Sequence, residues 1–326
     1  MKLRYIETGS TDAFYNLAFE EYILKNETDG SWLMLWQNSP TVVVGLNQNT
    51  EEEINRDFVK SNGINVVRRT TGGGAVFHDL GNLNYSFVSD LDAVGMENST
   101  QFTAPICNAL KRLGVYAYTS GKNDILVAGK KISGMAQRIY NNRILHHGTL
   151  LVDSDVTMLS GALNADPEKY TSKSVKSVSS RVGMLRDYLQ GTADVKCVKD
   201  AILVELFGRD MKTESLSVAA LAEIAELAEN KYHSWEWNYG KSPEYNYKNK
   251  ARFSGGSVCI TLNVQEGMIV AAGISGDFMA AKPADTLINA LIGTRFDRAD
   301  IANAIETLPL DTILGSVSRE ELLSLF

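Results

Sequence analysis

Two arginines, Arg68 and Arg69, stand just upstream of an unbroken glycine triplet, Gly72-Gly73-Gly74. Three consecutive glycines resist ordering, because each loses more backbone freedom on folding than any other residue. Close approach offsets that cost: without Cβ atoms, backbone N–H groups can line a concave surface that grips an anion. Arginine beside them supplies a planar, permanently charged fork suited to phosphate or carboxylate. The plainer alternative is a glycine-rich hairpin turn with two solvated arginines. The loop is neither G-x-G-x-x-G nor G-x-x-x-x-G-K-[ST], and it runs on into strand rather than helix. Both facts argue against a dinucleotide fold or a P-loop.

Further along, Lys130 and Lys131 open the stretch K-K-I-S-G. Neighbours on a strand face opposite ways, so only one of the pair can reach a ligand; either is otherwise a solvated strand edge. Asp124 stands before a strand and is a candidate Mg²⁺ ligand, since one carboxylate plus phosphate oxygens suits that ion. A turn residue capping its own backbone is the alternative. His78 and the pair His146-His147 suggest a metal or a general base. The pair cannot share one metal if its members point to opposite faces, and packed, hydrogen-bonded histidines are the plainer reading.

The elements that must position these groups can be read in order. Asp12 caps a helix from Ala13 to Asn26, with Leu17 on its apolar side. Ser31–Trp36 and Thr41–Gly45 read as strands about an Asn38-Ser39-Pro40 turn. Thr50 and Glu53 read as a capping box opening one helix that Gly63 stops. Ile64–Val67, Ala75–His78 and Leu83–Val88 are strands on either side of the glycine loop. A helix over Thr103–Leu113 follows, with Cys107 packed on it. Val115–Thr119, Ile125–Ala128, Lys131–Ile139 and Ile144–Val152 are strands joined by turns such as Ala128-Gly129-Lys130. This is an α+β arrangement, a mixed or antiparallel sheet flanked by helices. Thr171–Arg181, rich in Lys and Ser, reads as a mobile surface loop, and Ala219–Tyr232 as a helix. Trp235-Glu236-Trp237 ends the large domain, residues 1–245, and 242–250 reads as a polar linker. A small α+β C-terminal domain, 246–326, holds two strands, Ser257–Val264 and Met268–Ser275, then helices over Pro283–Ile292, Arg298–Thr307 and Ser318–Leu325. Nothing in it looks catalytic.

The 326 residues carry a net charge of −7, which argues against broad nucleic-acid or anionic-membrane binding. The N-terminus lacks the roughly 7–15-residue apolar core of a signal peptide. No apolar run approaches the roughly 18 residues needed to span a bilayer. Cys107, Cys197 and Cys259 are isolated and odd in number, with no metal or disulfide spacing, which fits a reducing cytoplasm.

The run R-R-T-T-G-G-G-A-V-F-H-D-L-G-N resembles the signature of the lipoate–protein ligase A family. G-K-K-I-S-G at 129–134, H-H-G-T-L-L at 146–151 and S-W-E-W-N-Y-G at 234–240 agree with it, in order along nearly the whole chain. The resemblance implies the biotin/lipoate ligase catalytic fold and an ATP-dependent enzyme that makes lipoyl-AMP. The lipoyl group would then pass to a lysine of acceptor domains in 2-oxoacid dehydrogenase (E2) or glycine-cleavage (H protein) complexes. It implies that Lys131 touches both the lipoate carbonyl and the AMP phosphate. It assigns ATP to Arg69, Gly74, Ala75, Val76 and Phe77, and lipoate to Gly73, His78, His147 and Trp36, with Leu17 as a further lining residue. Arg68 is expected to face away, in a surface ion pair. In the family the C-terminal domain rotates, and the 242–250 linker would be the hinge. Alternatives are an ATP-independent octanoyl or lipoyl transferase, and a non-enzymatic module that binds lipoyl domains. A biotin ligase is disfavoured because G-R-G-R-x-x-R is missing.

Overall fold

A computed structural model describes residues 3–48, 50–94, 100–121, 124–163, 182–191, 194–209, 211–239, 247–265 and 267–326. The Thr171–Arg181 loop and residues 242–246 of the expected linker lie outside the described residues.

The strands are β1 (Leu3–Ile6), β2 (Ser31–Trp36), β3 (Thr41–Val44), β4 (Asn65–Arg68), β5 (Val76–His78) and β6 (Asn82–Asp90). After them come β7 (Ala117–Ser120), β8 (Asp124–Val127), β9 (Lys130–Tyr140), β10 (Arg143–Leu151) and β11 (Thr213–Glu214). Eight of these form one sheet in the order β11-β1-β2-β6-β10-β9-β8-β7. The β11/β1 and β1/β2 pairs are parallel and the remainder antiparallel, so the sheet is mixed. A separate three-stranded sheet, β4-β3-β5, carries the glycine loop between β4 and β5.

Strand alternation divides the large sheet into two faces. Leu33, Leu35, Tyr85, Phe87 and Ile144 pack under the helices Thr100–Arg112 and Val195–Phe207. Met34, Trp36, Val88 and Leu145 turn the other way, toward the helix Ala13–Asn26. Asp12 caps that helix by accepting from the Phe14 N–H. Trp36 and His147, both singled out in the sequence, lie on this second face.

The C-terminal unit has its own core, built on an antiparallel sheet β12-β13-β14 (Tyr247–Phe253, Gly256–Gln265, Met268–Gly276) and short helices. Residues 247–250 therefore belong to a strand rather than a linker. The polar positions of β12 are its outward face, exposure alternating residue by residue, and that masks the strand in the sequence.

Two other expectations fail in the structure. The helix read from Thr50 is two short helices, Thr50–Glu53 and Arg56–Ser61, the second capped by Asn55. Thr50 is drawn into a side-chain network instead of capping: its Oγ1 donates to the Asn238 carbonyl and accepts from Arg68. Arg68 is buried and makes no surface ion pair. Its guanidinium donates to the carbonyls of Gly45, Leu46, Gln48, Trp237 and Asn238, while its backbone N–H donates to Asn238 Oδ1. Trp237 Nε1 returns a bond to the Arg68 carbonyl. The W-E-W-N stretch is thus the clamp that fixes the start of the glycine loop.

Removing that guanidinium leaves several buried carbonyls without a donor, each such loss carrying its desolvation cost. Arg68→Ala should lower unfolding free energy by on the order of 3 kcal/mol, measured by urea titration. Lysine, with a point charge and three donors, should recover less than half of it.

Candidate active site

A cavity of about 150 Å³ lies between the second face of the large sheet and the small sheet. Its floor is a set of neighbouring strands: Trp36 on β2, Asn84 on β6, His147 and Thr149 on β10, Gly134 and Ala136 on β9. Its roof is Gly73-Gly74-Ala75, with Val76 and His78 from β5 and Val43 from β3. Leu17, Arg69, Lys131 and Met279 complete the lining. The expected site residues Lys131, Arg69, Gly73, Gly74, Ala75, Val76, His78, His147 and Trp36 therefore share one space. Phe77 does not join them, because its ring is buried in the core beneath the small sheet.

Lys131 reaches the cavity by a β-bulge. Ile125 pairs with Ser133 and Leu126 with Lys131, so Ile132 is an extra residue in β9. A bulge re-aims the side chains that follow or precede it. Ser133 turns to the opposite face, where it meets Tyr85, while Lys131 lies over Gly134 on the cavity side. Its Nζ and Cε stand 3.1 and 3.2 Å from where a Gly134 Cβ would be. The glycine of the K-x-S-G pattern thus has a steric use: a Cβ there would crowd the amine end of the lysine and push it aside by a few tenths of an ångström. Nζ pairs with Asp124 Oδ1 at 2.7 Å.

Arg69 is buried and its fork is engaged by the protein itself. Nη2 donates to the carbonyls of Gly72 (2.6 Å) and Gly74 (2.8 Å), Nη1 to that of Val43 (3.1 Å) and Nε to Thr71 Oγ1 (2.9 Å). Burial lowers its pKa to about 10, which leaves it a cation at neutral pH. It braces the loop and sets a positive charge beneath it. Gly73 has φ +88°, a left-handed conformation natural only to glycine. Its N–H donates to the Phe278 carbonyl of the C-terminal unit at 3.0 Å, so this amide is already taken by protein. A Cβ on Gly45 would collide with the Gly73 carbonyl, so a fourth glycine, missed in the sequence, lets the loop lie flat.

From Arg69 a chain of bonds runs under the cavity. Thr71 Oγ1, accepting from Arg69, donates to His147 Nε2 (2.8 Å), which places the ring proton on Nδ1, facing Glu20 Oε1 at 2.8 Å. Ser86 donates to the same carboxylate oxygen (2.6 Å), and Trp36 Nε1 donates to Ser86 (2.9 Å). Both ring nitrogens of His147 are engaged, so it is neither metal ligand nor free base. His146 points to the other face, stacked on Phe102. Among the described residues no group of three His, Cys, Asp or Glu could hold a metal. The C-terminal unit, in which nothing had looked catalytic, contributes Met279 to the lining. Glu20, Gly45, Asn84 and Met279 carried no motif by which sequence alone could single them out, whereas Thr71 stood inside the glycine-loop signature without being singled out.

This mixed-sheet architecture and loop-roofed cavity define the class of the chain. A family model described as the lipoyl protein ligase A/B catalytic domain matches residues 12–207, and one for the bacterial lipoate protein ligase C-terminus matches 242–326. The chain is 40% identical to lipoate–protein ligase 1 of Staphylococcus aureus over 97% of both chains. Among solved structures it is similar to P. falciparum LipL1 in complex with lipoate (TM-score 0.81, 25% identity, covering 99% of this chain and 97% of that one). The bipartite lipoate protein ligase from Thermoplasma acidophilum, described with its E2 lipoyl domain, has TM-score 0.64 and 31% identity over 76% of this chain and 98% of that one. A lipoate-protein ligase A bound with ATP has TM-score 0.62 and 29% identity over 74% and 99%. The chain belongs to the lipoate–protein ligase family.

His78 and His146 each have a pKa lowered to about 3, burial being the main cause. Each is neutral when folded but titrates near 6.5 when unfolded, so the unfolded chain binds more protons below that pH and stability falls. From pH 7 to pH 5 each histidine should remove about 2 kcal/mol. His146→Phe should shrink the loss between those pH values by that amount in urea titrations.

Proposed function

We propose that the chain is an ATP-dependent lipoate–protein ligase, and that Lys131 is its central catalytic group. The observation that carries this reading is the meeting of the Lys131 amine, the Arg69 cation and the Gly73–Gly74 loop around one cavity that is apolar toward Leu17 and Trp36.

A carboxylate is inert toward amines at neutral pH, because its leaving group would be oxide. Adenylation removes that obstacle. A carboxylate oxygen of lipoate attacks the α-phosphorus of ATP, the bond to the bridging oxygen breaks, and pyrophosphate leaves. One ammonium between the carboxylate and the α-phosphate offsets charge that grows on the phosphoryl oxygens. The buried Arg69 adds to that field without direct contact. Holding two anions in line is the remaining requirement, and the rigid strands β9 and β5 meet it. The ε-amine of an acceptor lysine then attacks the mixed anhydride, forming an amide and releasing AMP, with no covalent enzyme intermediate.

ATP, held by Gly74, Ala75, Val76 and the backbone of Phe77 within the field of Arg69, is part of this reading, as are lipoyl domains of E2 subunits and glycine-cleavage H protein. Mg²⁺ would enter on the triphosphate and neutralise its charge, with Asp124 as its protein carboxylate. Asp124 Oδ1 is taken by Lys131, which leaves Oδ2 as the one carboxylate oxygen for an ion that would be carried mainly by phosphate oxygens. A cytoplasmic setting accords with three cysteines that form no disulfide among the described residues. Rotation of the C-terminal unit would expose Gly73 and withdraw Met279 as ATP enters.

The ATP-independent transferase that uses a cysteine lacks its nucleophile here. None of the three cysteines lines the cavity; Cys107 packs on the opposite face, where burial raises its thiol pKa, and Cys259 is buried in the C-terminal unit. Lipoate-dependent exchange of labelled pyrophosphate into ATP tests the ligase reading. Lys131→Ala should slow that exchange by about 10²–10³-fold, the usual loss of one preorganised donor. Near-normal exchange in that variant would remove Lys131 from the mechanism.

A further inference from the structure

Two groups on the cavity wall are buried donors without a partner in the protein: Asn84 Nδ2 and His78 Nε2. Asn84 is 2% exposed and His78 4%. For His78 the surrounding amides fix which atom is left over. Asn16 Nδ2 donates to the carbonyls of Ser10 and Gln37, so Asn38 presents its Oδ1 to Asn16 and its Nδ2 to His78 Nδ1, at 3.0 Å. The ring therefore carries its proton on Nε2. Asn82 Nδ2 donates to Asn84 Oδ1 at 3.0 Å, which leaves Nδ2 of Asn84 as the unpaired end. Nearly every buried donor in a folded protein is bonded, so two bare ones on one cavity wall need an explanation.

Their position supplies one. Gly134, Thr149, Asn84 and Trp36 lie in one row across β9, β10, β6 and β2, with Asn84 opposite Thr149 on one side and Trp36 on the other. Lys131 stands over Gly134 at the head of this row. Asn84 lies two strands further on, about 10 Å at ordinary strand spacing. That is comparable with the reach of an extended eight-carbon acid whose carboxylate meets Lys131. His78 borders the same end, its ring edge-on to Trp36.

We propose that Asn84 Nδ2 and His78 Nε2 read the far end of the acid, selecting a ring with two sulfur acceptors over a bare hydrocarbon end. This rests on the lipoate-activating reading above. Sulfur is a weak acceptor, but it is the only acceptor at that end of lipoate. Octanoate has none, so its binding leaves both donors buried and unmet. Sites built to bond a polar group reject an analogue lacking it for this reason. Asn84 is then a specificity residue, and Leu17, Val43 and Val76 supply the apolar contact common to both acids.

The test compares lipoate with its cyclopentane analogue, alike in shape but with CH₂ in place of both sulfurs, in pyrophosphate–ATP exchange by the full chain. The wild type should favour lipoate by about tenfold in kcat/KM. Asn84→Leu should bring the ratio to near parity. Asn84→Val, which removes the amide without adding a donor, should also lose the preference. The readout is a ratio of two acids on one preparation, so partial misfolding cancels. A wild-type ratio near one overturns the proposal even if neither variant folds, as does an unchanged ratio in a variant that still exchanges. Exchange that fails in the wild type with every acid refutes the ligase reading instead.

Discussion

Two adjacent guanidinium groups, Arg68 and Arg69, are buried with no carboxylate among the described residues in hydrogen-bond contact with either, and the site depends on how that is tolerated. Burying a charge is costly unless it is fully hydrogen-bonded. Here the bonds come almost wholly from main-chain carbonyls, whose dipoles point at the cations without cancelling their charge. Arg68 and Arg69 alternate along the chain, so one ties the loop to Trp237-Asn238 and the other ties its glycine carbonyls together. The loop is held with its carbonyls drawn inward, toward Arg69. A standing positive potential beneath it follows, suited to a ligand of opposite sign in a chain whose overall charge is negative.

The second constraint is placement of a mobile charge against that fixed one. Lysine side chains are long and lose much freedom when held. Three local features reduce that cost: the bulge at Ile132 aims Lys131, Gly134 gives its stem a bed, and Asp124 holds its amine at 2.7 Å. Each lies on a strand of the same sheet, so the amine is set by sheet geometry rather than by a flexible loop. Such preorganisation would let the ammonium act on a developing charge, as the proposed mechanism requires, with little rearrangement.

Much of this was legible in the chain, and the failures have physical causes. Strand periodicity located the sheet from Ser31 to Leu151, because its inner residues alternate or run apolar. The conclusion that His146 and His147 face opposite ways needed only that period. What sequence cannot show is partnership across distance. Arg68 read as a surface residue because nothing near it in sequence hints at Asn238, 170 residues away, or at the carbonyls of 45–48. Thr50 read as a cap because its local pattern fits one, yet a tertiary bond to Arg68 claims its hydroxyl. Strand β12 was hidden by its polar outward face. The bulge left no trace either: the choice of Lys131 over Lys130 came from the family resemblance, and the register that sets Lys131 beside Gly134 appears only in the structure.

The contact between the two units follows the same logic of dipoles. The segment Gly276–Ala281 meets the large domain through main-chain bonds: Gly276 N–H to Asn47 O, Gly73 N–H to Phe278 O and Ile139 N–H to Ala281 O. Bonds of this kind hold position yet are individually weak, each worth about 1 kcal/mol net. An amide accommodates one good acceptor at a time. A carbonyl from Phe278 at Gly73 and an anionic oxygen at the same N–H are therefore mutually exclusive, and the charged acceptor makes the stronger bond. With Ala280 packed where a Gly72 Cβ would stand, any ligand that takes the loop must work against the C-terminal segment. The absence of side chains from the triplet thus leaves room for the neighbouring backbone and, on the reading proposed above, for an anion in its place, and such double use would be a reason for three glycines where one turn would need fewer.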